Sequence, residues 1–153
     1  MVDSGNQISN GYENFYASYS SMVNASLARD AQADLTASGQ RIGSTLRVNV
    51  TVYNASNITL SFTNNAAVWL IVYEIFDSPG AGRLTNRFVR ATSSTYLSSP
   101  LPPGSSADFV LDTPALNGVV WNNLRAVVLV DYLPDGSSRA YDMLQAVPVT
   151  SFP

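Results

Sequence analysis

Residues 46–76 constrain the fold more strongly than any other part of the chain. In 46–53 and again in 58–63, apolar residues alternate with polar ones, and the Asn-rich stretch 54–57 separates the two runs. Alternation with a period of two gives one dry and one wet face, which predicts antiparallel strands packed on one side. Residues 67–76 follow and are apolar on both faces. A strand of that kind is typical of the middle of a sheet in a sandwich.

The rest of the chain continues the β pattern. Glycine and proline mark the turns between strands, and 134–137 is a hairpin turn through its Asp-Gly step. We therefore predict that residues 44–153 form an immunoglobulin-like β-sandwich of seven to eight strands. The further predicted strands are 84–91, 107–111, 124–132 and 139–147. We expect the core to include Val50, Leu60, Phe62, Trp69, Ile71, Tyr73, Phe109, Val128 and Val130, with Phe88 also facing inward.

The N-terminal part of the chain, residues 1–43, has a different pattern. Apolar and aromatic residues recur there every three or four positions, which predicts an amphipathic helix over 7–38, or two helices with a break, ending at Gly39. The stripe either packs on the domain's own sheet or is an interface with neighbouring subunits. Its interface residues are Ile8, Tyr12, Phe15, Tyr16, Tyr19, Met22 and Val23.

Composition excludes several classes of site. The chain has no Cys and no His, so the usual zinc, copper, haem and iron–sulfur ligands and the Ser-His-Asp triad are absent. A net charge of −3 argues against non-specific nucleic-acid binding. Glu74 interrupts an apolar strand, and we expect it to pair with an arginine rather than to act in catalysis. We predict no catalytic residue, metal or cofactor, and hence a protein that is not an enzyme.

Two other groups of residues are candidate surface features. Arg83, Arg87 and Arg90 form a local basic cluster that either protects an edge strand or docks an acidic partner. N-glycosylation sequons begin at Asn24, Asn49, Asn54 and Asn57. Those of the predicted turn 54–57 are the most favourable acceptors, because loops tolerate glycans best.

The run Leu-x-Val-x-Val-x-Val-Tyr-Asn-x-Ser-Asn-Ile-Thr-Leu-x-Phe-x-Asn-Asn-Ala at 46–66 follows the aromatic helix, and Pro102-Pro103-Gly104 precedes a later strand. This arrangement resembles the soluble part of archaeal type IV pilin-like proteins, and more narrowly the archaellum accessory proteins of the FlaF and FlaG family.

The resemblance implies a non-enzymatic stator subunit of the archaellum motor. It also implies an upstream membrane helix as anchor and a location on the extracellular face of the cell membrane, in the archaeal pseudo-periplasm. The implied partners are the surface-layer protein and a sister pilin-like subunit, in a homo- or hetero-oligomer.

Three alternatives remain open. A filament-forming archaeal pilin would share the same features. A carbohydrate-binding or adhesion module would show a groove with exposed rings, for which Tyr96, Trp121 and Tyr132 are the candidates. A hydrolase using carboxylates alone would need two acids facing each other about 5–9.5 Å apart in a cleft.

Overall fold

A computed structural model describes residues 15–28, 30–77, 85–137 and 140–151. These residues form one helix and seven strands in two antiparallel sheets. In chain order the elements are α1 (Phe15–Leu27), β1 (Ala33–Ile42), β2 (Thr45–Asn54), β3 (Ala67–Asp77), β4 (Thr85–Tyr96), β5 (Ser106–Asp112), β6 (Leu124–Tyr132) and β7 (Asp142–Pro148). No helix among the described residues is long and apolar enough to cross a membrane.

The seven strands divide into two sheets that share one core. The smaller sheet has the order β1-β2-β5, and the larger has the order β4-β3-β6-β7. Val48, Val50 and Val52 of β2 are buried, as are Val68, Leu70 and Val72 of β3, and they belong to one apolar cluster. This placement leaves one face of each sheet outside, and the candidate surfaces lie there and at the two ends.

The structure corrects the predicted helix at its C-terminal part. The helix ends at Leu27, and residues 33–42 form β1, which pairs with β2 from Ala33↔Asn54 to Ile42↔Thr45. Gly39, expected to stop the helix, lies inside β1 opposite Val48. Ala33, Leu35 and Ala37 are buried at alternate positions, which is strand periodicity. The predicted boundary between the helical segment and the sandwich, at residue 43, therefore placed β1 in the wrong segment.

The predicted strand at 58–63 is also wrong. Only Leu60 makes a bridge, to Leu101, and Phe62–Asn64 form a short 3₁₀ turn. The Asn64 side chain accepts from the Ser61 N–H at 2.9 Å and donates to the Thr59 carbonyl at 2.9 Å. These local bonds replace a strand ladder. Phe62 is consequently exposed (64%) and is not a core residue.

The predicted face of β3 was wrong by one residue. Val68, Leu70 and Val72 point into the core, while Trp69, Ile71 and Tyr73 are only partly buried on the outer face. Phe109 is likewise only partly buried, whereas Val50, Leu60, Val128 and Val130 are core residues as predicted. Strand β6 matches its predicted range, and β4 is a sheet edge as expected. Phe88 of β4 does not face inward: it is 52% exposed and packs edge-on against Phe76 at 5.5 Å between ring centroids.

Candidate interaction surfaces

The apolar face of α1 is one candidate surface. Tyr16 is 83% exposed and Tyr19 is 39% exposed, while Met22 and Val23 are partly buried. None of the described strands packs extensively against α1. Ile8 and Tyr12 lie outside the described residues, as does the side chain of Phe15.

The predicted basic cluster is only partly available to a partner. Arg90 donates from Nε to Oε2 of Glu74 at 2.7 Å, and Glu74 is completely buried. The other carboxylate oxygen of Glu74 accepts from the Val120 N–H at 2.8 Å. The predicted arginine pairing of Glu74 is thereby confirmed, and Arg90 has a structural role. Arg87 is exposed, and Arg83 lies outside the described residues.

The outer face of the three-stranded sheet is a polar trough of about 350 Å³. Residues of the three strands face each other in register across it, in rows such as Thr36–Thr51–Asp108 and Ser38–Asn49–Val110. The Thr51 hydroxyl donates to Asp108 at 2.7 Å. The trough is lined mainly by hydroxyl, amide and carboxylate groups, from Thr36, Ser38, Asn49, Thr51, Asp108 and Thr150.

Both ends of this polar face carry a further recognition group. At one end Arg47 binds Asp112 bidentately, with both N–O distances at 2.8 Å. The Arg47 hydrogen bond lowers the pKa of Asp112, so both groups stay charged. At the other end Tyr53, which faces Asp34 and Ser106 across the sheet, has a ring that is 39% exposed. The wet face of β2 was visible in the sequence, and β5 was predicted as a strand at 107–111. The three-stranded face was not predicted, because β1 was predicted as helix.

The sequons differ in their surroundings. Asn24, Asn49 and Asn57 are exposed, as a glycan acceptor must be. Asn54 is completely buried, and its Nδ2 donates to the carbonyls of Ile58 at 2.8 Å and Leu101 at 2.9 Å. A glycan on that nitrogen would remove a donor and has no room in the folded domain. The structure therefore contradicts Asn54 as a glycosylation site.

Three aromatic residues predicted for a carbohydrate groove do not come together. Tyr96 pairs with Ala67 at the start of β3 and packs on Phe62 at 5.9 Å. Trp121 is at the other end of β3, because its neighbour Val120 binds Glu74. Glu74 is seven residues from Ala67, which is about 23 Å along the strand. Arg41 covers the Trp121 ring at 4.1 Å from its centroid. Tyr132 is partly buried in a separate pocket with Pro134.

The described carboxylates include no group suited to a metal ion. No cluster of three or more acidic, histidine or cysteine side chains occurs in the described ranges. On the polar face, Asp108 and Asp112 are four residues apart on β5, about 13 Å along the strand. That exceeds the spacing of about 5–9.5 Å between the two carboxylates of a glycosidase.

Asp131 is a buried carboxyl group on β6 whose surroundings change its titration. It is 7% exposed and accepts from the indole Nε1 of Trp69 at 2.9 Å. Burial raises the pKa of Asp131 above its ordinary value of 3.8, and the indole hydrogen bond offsets this only in part. As the pH rises, the unfolded chain therefore releases this proton before the folded protein does. The free energy of unfolding therefore falls as the pH rises from the pKa of Asp131 in the unfolded chain to its higher pKa in the folded protein.

We expect Asp131→Asn to be at least as stable as the unaltered protein at pH 7, because its amide oxygen still accepts from Trp69 and carries no charge. Thermal unfolding from pH 3.5 to pH 7 measures the effect, and the difference between variant and unaltered protein should disappear at the acid end. The exposed Asp135→Asn is the control and should show no such pH-dependent difference. A constant stability difference at every pH would contradict the raised pKa.

Comparison with known proteins leaves the family open. No family model and no curated protein matches the chain. The chain is similar to part of Spo0M, a sporulation control protein from Bacillus subtilis, at 12% identity over 78% of this chain and 49% of that one, with a TM-score of 0.46. It is similar to part of the GH20 exo-β-N-acetylglucosaminidase from Vibrio harveyi at 13% identity, over 77% of this chain and 17% of that one, with a TM-score of 0.37.

A third similar structure is β-glucosidase 3B from Thermotoga neapolitana, at 20% identity over 80% of this chain and 16% of that one, with a TM-score of 0.38. The chain thus spans less than half the length of each of these three proteins. Likenesses at these TM-scores carry no argument about what the chain does.

Proposed function

We propose that the protein is a non-enzymatic interaction module of the cell surface, and that it serves as a stator subunit of the archaellum motor outside the membrane. The sequence resemblance to the FlaF and FlaG family supports the archaellar role, with the surface-layer protein and a sister subunit as partners. The two-sheet arrangement around one core supports an immunoglobulin-like sandwich. The observation that carries the interaction role is the exposed aromatic face of α1.

The exposed face of α1 is costly to leave in water. Fully burying a large apolar side chain stabilises by about 1.5–3 kcal/mol. Tyr16 lies almost completely in solvent, at 83% exposure, so it realises little of this energy within the isolated chain. Contiguous exposed apolar patches larger than roughly a few hundred Å² usually mark an interaction site. We therefore propose that α1 pairs with a second copy or with a partner subunit.

A charge on this face tests the proposal. We expect the unaltered protein to associate in sedimentation velocity at high micromolar concentration in 500 mM salt, which screens ionic contacts. Under the same conditions we expect the variant Tyr16→Glu, Tyr19→Glu to be monomeric. Two glutamates buried without partners would destabilise the interface by several kcal/mol. Ala17→Glu, Ser21→Glu places the same charges at exposed positions about half a turn away and should associate normally. A monomeric unaltered protein would contradict self-association through α1.

The stator role needs a separate test. Isolated surface-layer protein and sister pilin-like subunits, each immobilised, should retain the protein, and Tyr16→Glu, Tyr19→Glu should weaken retention by at least one of them. Retention by neither partner would contradict the stator role while leaving the self-association result unaffected.

A carbohydrate-binding module is a second candidate, and the polar trough on the three-stranded sheet favours it. Hydroxyl, amide and carboxylate groups in a shallow groove can bind sugar hydroxyls, and the Tyr53 ring offers an apolar surface for a sugar face. If this candidate is right, Tyr53→Ala should weaken the affinity for polysaccharide about tenfold or more. Retardation in native gels containing the polysaccharide measures this affinity. Tyr96→Ala, which alters an exposed ring on the other sheet, should not. Equal mobility with and without every polysaccharide tried would exclude the candidate.

A further inference from the structure

The charges of the domain separate towards its two ends. All five arginines whose side chains the structure describes lie in the half of the domain around the β1–β2 hairpin. We call this half the basic end; its arginines are Arg41, Arg47, Arg87, Arg90 and Arg125. The exposed described carboxylates, apart from Asp112, lie in the opposite half, which we call the acidic end: Asp30, Asp34, Asp108 and Asp135. Arg29, Arg83 and Arg139 are outside the described residues, as are Asp3, Glu13 and the side chain of Asp77.

Pairing within the basic end does not cancel its charge. Arg47 is paired with Asp112, and Arg90 is paired with Glu74. The remaining guanidinium groups, of Arg41, Arg87 and Arg125, have no carboxylate partner among the described residues.

Two of these three groups are nevertheless held in place. The Arg41 guanidinium lies over the Trp121 ring, and its Nε donates to the Gly43 carbonyl at 2.9 Å. Arg125 donates to the carbonyls of Asn122 at 3.1 Å and Leu124 at 2.6 Å. Because these contacts are with neutral groups, they fix the side chains without neutralising them. A partner would thus meet cations whose conformational entropy is already reduced.

The two ends act as separate charged surfaces. Strand β2 spans ten residues, so the ends are about 33 Å apart. The Debye length at physiological salt is about 8 Å, and each end is therefore screened from the other. A molecule approaching the basic end meets a local positive charge, although the chain as a whole has a net charge of −3.

Each end also has apolar surface for an interface. At the basic end Ile42 is 44% exposed, and Phe88 and Val120 are each 52% exposed. At the acidic end Phe62 is 64% exposed and Tyr96 is 46% exposed, and their rings pack edge-on. Exposed ion pairs alone contribute little, so these apolar groups are needed to make a contact of useful affinity.

We propose that the basic end of one copy docks on the acidic end of a second copy, so that the protein associates head to tail. The two surfaces are complementary in charge, and both are present on the same chain. A head-to-tail contact uses two different surfaces, so each copy keeps one free end, and the assembly grows as a ring or an open filament. This contact is independent of α1 and goes beyond the proposed function.

Neutral variants of each end provide the test. In sedimentation velocity at 50 mM salt, the unaltered protein should form species that grow with concentration beyond any pair formed through α1, and 500 mM salt should reverse this growth. Arg87→Gln, Arg125→Gln removes two of the three unpaired cations of the basic end, and Asp34→Asn, Asp135→Asn removes two acids of the acidic end. Each variant alone should associate about tenfold more weakly, since each loses two charge pairs. All four positions are exposed, and matching thermal unfolding confirms that the variants fold.

Mixing the two variants distinguishes this contact from any other. One variant keeps a functional acidic end and the other keeps a functional basic end, so at 50 mM salt the head-to-tail contact in an equimolar mixture should stop at one copy of each. The variant with all four substitutions has the original net charge and should show no salt-dependent growth. Two results would overturn the proposal: an unaltered protein that associates no more at 50 mM salt than at 500 mM salt, or a mixture that associates no more than its components. Loss of the salt-dependent growth in Tyr16→Glu, Tyr19→Glu would instead locate this contact on α1.

Discussion

Replacement of Arg90 by alanine should lower the free energy of unfolding by about 2–4 kcal/mol, which corresponds to a fall of roughly 6–15 °C in the unfolding midpoint. The reason is the position of Glu74. Its side chain is completely buried inside the four-stranded sheet, and Arg90 is the cation that compensates its charge. Removing one member of a buried pair costs about 3–5 kcal/mol, and the 35% exposure of Arg90 puts our expectation somewhat lower.

Two further variants make this result specific. Arg47→Ala breaks the other ion pair, whose side chains are 46% and 48% exposed, and its effect should be far smaller because water replaces the lost partner. The double variant Glu74→Gln, Arg90→Ala should be more stable than Arg90→Ala alone, because the glutamine amide leaves no charge in the interior. Chemical denaturation of all variants measures these differences. Equal losses for Arg90→Ala and Arg47→Ala would contradict the structural role of the buried pair.

Glu74 also binds the loop before β6, so its pair with Arg90 connects that loop to the sheet. Arg90 is the residue of β4 at a break in the register with β3, between the pairs Val72↔Ala91 and Tyr73↔Val89. The carboxylate therefore joins the edge strand, a central strand and the Val120 N–H in one network. Sequence alone predicted the ion pair, because an acid in an apolar strand requires a cation. The sequence did not indicate the contact with Val120, because a backbone N–H can be supplied by almost any residue.

The sequence predicted best those strands in which a clear hydrophobic pattern is bounded by turn residues. Strands β2 and β6 have strong alternation or a long apolar run, bounded by Asn- and Gly-containing turns, and both were placed correctly. Strand β1 was missed because its inward positions are mostly alanine, which gives a weak hydrophobic signal and favours helices. Its ten-residue pairing with β2 determines its structure, and a neighbour distant in sequence cannot be read from local pattern.

The candidate surfaces were predictable to different degrees. The aromatic stripe of α1 follows from sequence periodicity, and its exposure at Tyr16 and Tyr19 agrees with the interface interpretation without testing it. The polar trough and the charged ends depend on which strands are neighbours and which way they run. Arg41 and Arg125 are 84 positions apart in the chain, so only the folded topology shows that they share an end.

Asn54 is the residue for which sequence reasoning and structure disagree most. It was predicted to be an exposed turn residue, yet it ends β2 in the interior with all its polar side-chain atoms bonded. Besides its two donated bonds, its Oδ1 accepts from the Ser56 N–H at 3.0 Å and the Ser56 hydroxyl at 2.6 Å. Through these bonds one side chain holds the start of the irregular segment 55–66 against the Leu101 loop.

We expect Asn54→Ala to lower the free energy of unfolding by about 3–5 kcal/mol. The substitution removes four hydrogen bonds, each contributing about 0.5–1.5 kcal/mol, and leaves the buried Ser56 N–H without its acceptor. The Leu101 carbonyl keeps its bond from the Leu60 N–H, and the Ile58 carbonyl can still accept from the Ser56 hydroxyl. Asn54→Asp should be equally damaging, because a carboxylate would face the two carbonyl oxygens that Nδ2 now binds.

Asn57→Asp and Asn49→Asp make the same chemical change at exposed positions, and each should stay within about 0.5 kcal/mol of the unaltered protein. Denaturant titration of the whole set decides the matter. Asn54 variants as stable as the Asn57 and Asn49 controls would show that the turn does not depend on this network. The expected large loss would show that the Asn in the Tyr-Asn-x-Ser segment is retained for folding, and that its sequon is incidental.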